Sequence, residues 1–157
     1  WLLTTRGVPQ WYYGAEILMK GHAAPDGLVR MDFEGGWPGD KSNKFTATGR
    51  TAAEDSMFNY VKTLARFRKG SSAIKKGKLM QFVPEEGVYT YFRYNDAETV
   101  MVVMNTAKEG RTIGVSRFDE RFTGFSKATN IVSGSVENLT GKWTIPPTTT
   151  WVLQLKQ

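Results

Sequence analysis

The chain has 157 residues, 40% hydrophobic and 13% aromatic, the composition of a domain that buries a core rather than of a disordered segment. It contains no cysteine and a single histidine, His22. This excludes disulfide scaffolds, thiolate zinc sites, cysteine nucleophiles and multi-histidine metal centres, and any serine-histidine-acid triad would have to run through that one residue. Lys and Arg outnumber Asp and Glu by 21 to 15, so anionic partners have to be weighed, whereas the longest aliphatic run, residues 100–104, is far too short to cross a bilayer.

The first fifty residues show no sustained period. They open on Trp1, Leu2 and Leu3 without an initiator methionine, and so apolar a start predicts a processed or truncated piece. Residues 8–13, Val-Pro-Gln-Trp-Tyr-Tyr, form an apolar run that Gly14 closes. Such a run predicts a strand buried on both faces, as in a parallel sheet covered by helices. A glycine-rich loop over residues 20–50 follows, and a loop of that length in a compact domain predicts a function at the carboxyl end of the strand.

Residues 51–70 carry the clearest helix pattern. Thr51 and Glu54 have the spacing of a capping box, Asp55 suits the positive N-terminal end, and Met57, Val61 and Leu64 recur at helical spacing until Gly70 stops the run. Residues 71–76 can add a short helical turn. From residue 77 the chain reads as consecutive short strands, at 78–83, 88–94, 99–105, 111–115, 128–132, around Val136, 142–145 and 149–155, broken by glycine, proline and asparagine turns and by a helical turn at 118–122. Strands this short and this evenly spaced predict an antiparallel sandwich.

Two constellations point to chemistry. Tyr12, Tyr13, Gly14 and Glu16 stand where the first strand would end, and His22, Asp26, Arg30, Asp32, Glu34, Trp37 and Asp40 follow in the loop. Aromatic planes mixed with carboxylates and arginine suit a sugar, whose CH faces stack on rings while its hydroxyls need paired donors and acceptors. The same residues can equally anchor the loop. The second constellation, Arg66, Arg68, Lys69, Lys75, Lys76 and Lys78, could hold a polyanion, although cations ordinarily gather at a helix C-terminus. Tyr89, Tyr91, Phe92 and Tyr94 are read as packing, because no RNA-binding motif accompanies them. Trp143 and Trp151 could stack on sugars, but the alternation of residues 151–155 favours packing for both.

Thr5-Arg6-Gly7-Val8-Pro9-Gln10-Trp11-Tyr12-Tyr13-Gly14-Ala15-Glu16-Ile17 resembles the final barrel strand of glycoside hydrolase family 13, the α-amylase family, and Arg30-Met31-Asp32-Phe33-Glu34-Gly35-Gly36-Trp37-Pro38-Gly39-Asp40 resembles the segment after it in the neopullulanase and cyclomaltodextrinase branch. Glu34 replaces the usual proline, and Ala15 stands where Asp or Thr is common. Residues 63–77 are similar to the eighth barrel helix, and residues 88–105 to the opening strands of the family's C-terminal sandwich. The resemblance implies a mainly β chain: residues 1–76 as the last strand, loop and helix of a (β/α)8 barrel, and residues 77–157 as an antiparallel β-sandwich of Greek-key type.

For function, the resemblance implies the C-terminal portion of an α-glucan-degrading enzyme that cleaves α-glucosidic bonds with retention through a covalent glycosyl-enzyme. The family's three catalytic carboxylates belong to motifs upstream of the final strand that are not found in this sequence, so the chain alone is expected to be inactive. One strand and one helix cannot close a barrel of about 250 residues. No residue is assigned a catalytic role; Glu16, Arg30, Asp32 and Trp37 are expected to border the sugar cleft. No cofactor and no metal are expected. The expected partners are a maltodextrin, pullulan or cyclodextrin and the rest of the barrel, with neither nucleic acid nor membrane, and the resemblance suggests a bacterial periplasm or cytoplasm. The alternative is a non-catalytic carbohydrate-binding sandwich using Trp143 or Trp151.

Overall fold

A computed structural model describes residues 1–21, 24 and 30–157. Two compact units are formed, one of Trp1–Val8 with Leu64–Gln157 and one of Pro9–Thr63. Helix α1 runs over Ala52–Gly70. Its start is the capping box legible in the sequence: the Thr51 N–H donates to Glu54 Oε2 at 2.7 Å, and the Glu54 N–H donates to Thr51 Oγ1 at 3.4 Å. Acidic Glu54 and Asp55 occupy its first turn and basic Arg68 and Lys69 its last, as the helix dipole favours. A short α2, Ser72–Lys76, follows, with Ser71 Oγ accepting from the Ile74 N–H at 3.1 Å.

Eight strands follow: β1 Lys78–Glu85, β2 Val88–Tyr94, β3 Thr99–Asn105, β4 Arg111–Gly114, β5 Lys127–Asn130, β6 Val136–Asn138, β7 Lys142–Ile145 and β8 Thr150–Lys156. Six form an antiparallel sheet in the order β1-β2-β3-β8-β5-β6, and β4 pairs with β7 in a second, two-stranded sheet. The register sets Phe92 opposite Met101 and Val103 opposite Trp151. Val88, Phe92, Met101, Val103, Leu153 and Leu155 thereby share the face that meets Ile113, Trp143 and Ile145 of the small sheet. Phe118 and Phe122, from the 3-10 turn Val115–Arg121 and its end, fill the middle; Phe82 meets Phe118 edge-on at 4.9 Å between ring centres. Two-residue closure of the β1–β2 hairpin places both Glu86 and Gly87 at positive φ, 48° and 81°, the backbone of a primed turn.

The opposite face of the large sheet is covered too. α2 packs on β2 and β3, Tyr91, Arg93, Val100, Val102 and Val152 are buried there, and the segment Trp1–Val8 is tied down by a Thr4–Tyr91 hydroxyl pair at 2.6 Å. Three carbonyls of that segment, those of Leu3, Thr5 and Gly7, accept from the Arg68 guanidinium at 3.1, 3.3 and 2.6 Å. The central strands therefore lack the hydrophobic-in, polar-out alternation of a sheet with one wet face.

One expectation is corrected. Residues 8–13, read as a buried strand, are irregular, and Val8 is 96% exposed. Among the described residues no strand precedes α1, so no neighbouring backbone is available to form the ladder that defines a parallel strand.

Candidate functional site

The polar and aromatic residues singled out in the sequence fall in the unit Pro9–Thr63. Gly14, at φ 83°, turns the chain into the 3-10 turn Ala15–Ile17. A Cβ at Gly14 would come within 2.5 Å of Met19 Sδ, so the close return of the chain requires glycine. Glu16 sits in this turn, and its carboxylate accepts from Trp11 Nε1–H at 3.0 Å. The Tyr12 and Tyr13 rings stand 4.9 Å apart, and the Tyr13 hydroxyl donates to the Met31 carbonyl at 2.9 Å. Desolvation, reinforced by Tyr12, pushes the Tyr13 phenol above its ordinary range, so it remains a donor.

The loop beyond is organised by carboxylates. Asp40 accepts from the Gly35 and Trp37 N–H groups at 2.6 and 3.0 Å, and these two bonds, Trp37's first, hold it below the usual carboxylate range. Gly35 lies at φ 111°, where an added Cβ would meet Asn43 Oδ1 at 2.5 Å. Lys44 Nζ lies 2.8 Å from Glu54 and 3.9 Å from Glu34. The Lys44 hydrogen bond, followed by the Thr51 N–H, holds Glu54 low as well. Arg50 pairs with Asp55 at 2.9 Å and lies 4.0 Å over the Phe58 ring.

Together these elements enclose an open cavity of about 620 Å³ lined by Ile17, Met19, Lys20, Met31, Asp32, Glu34, Asp40, Lys44 and Glu54. Of the four residues expected at a sugar cleft, Asp32 lines it. Glu16, Arg30 and Trp37 each adjoin lining segments in sequence but do not line it; Trp37 is 64% exposed on the turn that Asp40 closes. His22 and Asp26 lie outside the described residues. Lys20, Lys44 and Glu54 were not anticipated as site residues. Glu54 was legible only as a cap, because its ion pair with Lys44 depends on a loop closing over ten residues.

Apolar Ile17, Met19 and Met31 beside alternating cations and carboxylates form a lining suited to a neutral polyhydroxyl ligand. Among the described residues no three His, Cys, Asp or Glu stand together as a metal site. The two lining carboxylates with resolved shifts are both lowered, the opposite of what a general acid needs. In the other unit, Trp143 is only 6% exposed and donates Nε1–H to the Asn138 carbonyl at 3.0 Å, while Trp151 packs against it with ring centres 6.0 Å apart. A ring so enclosed cannot stack on a sugar.

Residues 79–154 match the model of the cyclo-malto-dextrinase C-terminal domain. A cyclomaltodextrin glucanotransferase of Niallia circulans is 30% identical over 148 residues, 88% of this chain and 18% of that protein. A cyclomaltodextrinase of a Bacillus species is 28% identical over 109 residues, 68% of this chain and 17% of that protein. The chain thus spans less than a fifth of the length of these relatives. The fold is similar to that of an Anoxybacillus α-amylase (TM-score 0.74, 17% identity, 98% of this chain and 30% of the other). It is also similar to that of a Geobacillus thermoleovorans α-amylase complexed with acarbose (TM-score 0.71, 20% identity, 99% and 31%). With the six-plus-two-stranded antiparallel architecture, these similarities place residues 79–154 in the family of the cyclo-malto-dextrinase C-terminal domain, and with it the chain as a C-terminal part of a glycoside hydrolase family 13, or α-amylase family, protein.

Proposed function

We propose that this chain acts as the C-terminal portion of an α-glucan-degrading glycosidase of the neopullulanase or cyclomaltodextrinase type. Residues 1–76 contribute the last strand segment, long loop and helix of its (β/α)8 barrel, and residues 77–157 the sandwich that stabilises it. The catalytic carboxylates for retaining hydrolysis come from the rest of that barrel. This chain supplies part of the cleft rim through Glu16, Arg30, Asp32 and Trp37. The observation that carries the reading is the cavity bordered by Asp32, with apolar and hydrogen-bonding groups side by side.

The test has two arms. The pure 157-residue chain should release no sugar from pullulan, cyclodextrin or maltodextrin, and turnover by it would overturn the division of labour. In the longer enzyme, Trp37→Ala should raise KM for maltodextrin with kcat nearly unchanged, because a rim platform contributes uniform binding; an unaltered KM would remove Trp37 from the cleft. A sandwich acting as a sugar-binding module is countered by the burial of Trp143. Calorimetry with maltoheptaose checks this point, since Trp143→Ala should change no ligand heat.

A further inference from the structure

The segment from Glu34 to Lys44 closes on itself. The Lys44 N–H donates to the Glu34 carbonyl at 3.0 Å, and Lys44 Nζ lies 3.9 Å from the Glu34 carboxylate. Ends that touch in this way give the build of an Ω-loop, held by its own groups. Within the loop Asp40 draws in the Gly35 and Trp37 amides, and the Trp37 ring is left 64% exposed. Apolar support at the closure is thin: the Phe33 and Phe45 rings meet with centres 4.6 Å apart, but Phe45 is 62% exposed. Where this loop stands is therefore decided by what its base is tied to.

The tie is Lys44. Its side chain is only 12% exposed, and Nζ lies 2.8 Å from Glu54 Oε2 in the first turn of α1. That same oxygen accepts from the Thr51 N–H at 2.7 Å, so the ammonium is fastened to a helix start already fixed by its cap. The Lys44 carbonyl in turn accepts from Arg50 Nη1 at 2.9 Å, and Arg50 pairs with Asp55 of the same helical turn. An ammonium this withdrawn from water costs desolvation that its ion pair does little more than offset, and an apolar pair of like volume serves stability as well.

We propose that Lys44 is a positioning residue for glucan binding, an assignment that rests on the functional reading above. By joining Glu34 at the base of the loop to Glu54 at the start of α1, it gives the loop one register on the helix and so sets where the Trp37 ring meets the sugar. An apolar side chain in its place can slide without losing a directed bond, so the loop takes several positions and the binding-competent one is only partly populated. A glucan that has to select that position binds more weakly, while catalytic carboxylates supplied by the rest of the barrel are untouched. Lys44 lines the cavity, but its ammonium faces Glu54 and Glu34, which leaves it to act through the loop rather than on the ligand.

Steady-state kinetics of the longer enzyme on maltodextrin test the assignment. Lys44→Met should raise KM roughly three- to tenfold and change kcat far less, whereas Lys44→Arg, which keeps a cation, should stay within about twofold of the original. Lys44→Met combined with Glu54→Gln leaves no unpaired carboxylate and keeps an acceptor for the Thr51 N–H; it should hold the Tm of the original and show the same rise in KM. In a Trp37→Ala background Lys44→Met should add no further loss, because the ring it positions is gone. An unchanged KM in the Lys44→Met and the paired variant, an equal loss in Lys44→Arg, or full additivity with Trp37→Ala would overturn the proposal, the last by showing that Lys44 meets the sugar itself. No turnover of maltodextrin by the unaltered enzyme, or an unaltered KM in Trp37→Ala, defeats the functional reading and this assignment with it; the expected Trp37 behaviour beside unmoved Lys44 variants defeats this assignment alone.

Discussion

The two compact units hold their shape by different means. The unit carrying the sandwich buries Phe92, Met101, Val103, Phe118 and Ile145 almost completely, and its strands are positioned by apolar packing and ladder bonds. The unit Pro9–Thr63 fully buries few apolar side chains among its described residues and leaves Tyr12, Tyr13, Met31, Trp37 and Phe45 exposed. Its loop is positioned by polar nodes instead: Asp40 on the Gly35 and Trp37 amides, Lys44 between Glu34 and Glu54, and Arg50 on Asp55. Their charge differs as well. Residues 9–63 carry six basic and seven acidic side chains, the remainder fifteen and eight. Apolar packing gives a rigid support, and polar nodes give a surface that can meet a polyhydroxyl ligand.

This contrast can be broken or sharpened by substitution. Phe92→Ala removes a fully buried ring and should cost about 3–5 kcal/mol in chemical denaturation; a loss below about 1 kcal/mol would show that the sandwich is not packing-controlled. Arg68→Met should cost about 1.5–3 kcal/mol by removing charge-assisted bonds to three carbonyls. Arg68→Lys should recover only part of this loss, since an ammonium lacks the fork. Thr51→Ala should cost about 1 kcal/mol through loss of the helix cap, with Thr51→Ser close to the original.

The pH response should distinguish the polar unit. Asp40 and Glu54 have folded pKa values below their ordinary ones, so the stability they add is present above the ordinary carboxylate pKa and is lost as pH falls through the lowered values. Acid titration followed by tryptophan fluorescence should show the loop loosening below the ordinary carboxylate range, and Asp40→Asn with Glu54→Gln should flatten that transition; an unchanged profile would remove the carboxylates as its supports. Trp37→Ala should have the smallest effect on stability, within about 0.5 kcal/mol of the original, because the ring is exposed.

Local chemistry was legible. The strands over 88–94, 99–105 and 142–145 have the expected bounds, and α1 starts one residue after its capping Thr51. Turn residues and alternation act over a few positions, so a sequence displays them. The double-sided burial of β2 and β3 was not legible, because the cover comes from Trp1–Val8 and α2, and Arg93 on that face looks in sequence like an outer-surface residue. Nor were the contacts of Arg68, which in sequence is one of several cations gathered at a helix C-terminus, since its three carbonyl partners lie more than sixty residues away. At the candidate site the sequence pointed to the correct loop, but the cavity wall also draws on Lys44 and Glu54, which meet only when the loop folds back on the start of α1.

By itself the sequence determined the class of the chain, the family motifs, the position of the helix and the succession of antiparallel strands, all set by short-range periodicity, capping and turn chemistry. Only the tertiary structure decided the strand order, the second covered face of the sheet, the irregular course of residues 8–13 and the burial of Arg93 on the Gly77 and Lys78 carbonyls. Each of these depends on which distant groups are available as partners. A strand exists only where a neighbour completes its ladder, and a buried charge is accommodated only where something opposite reaches it.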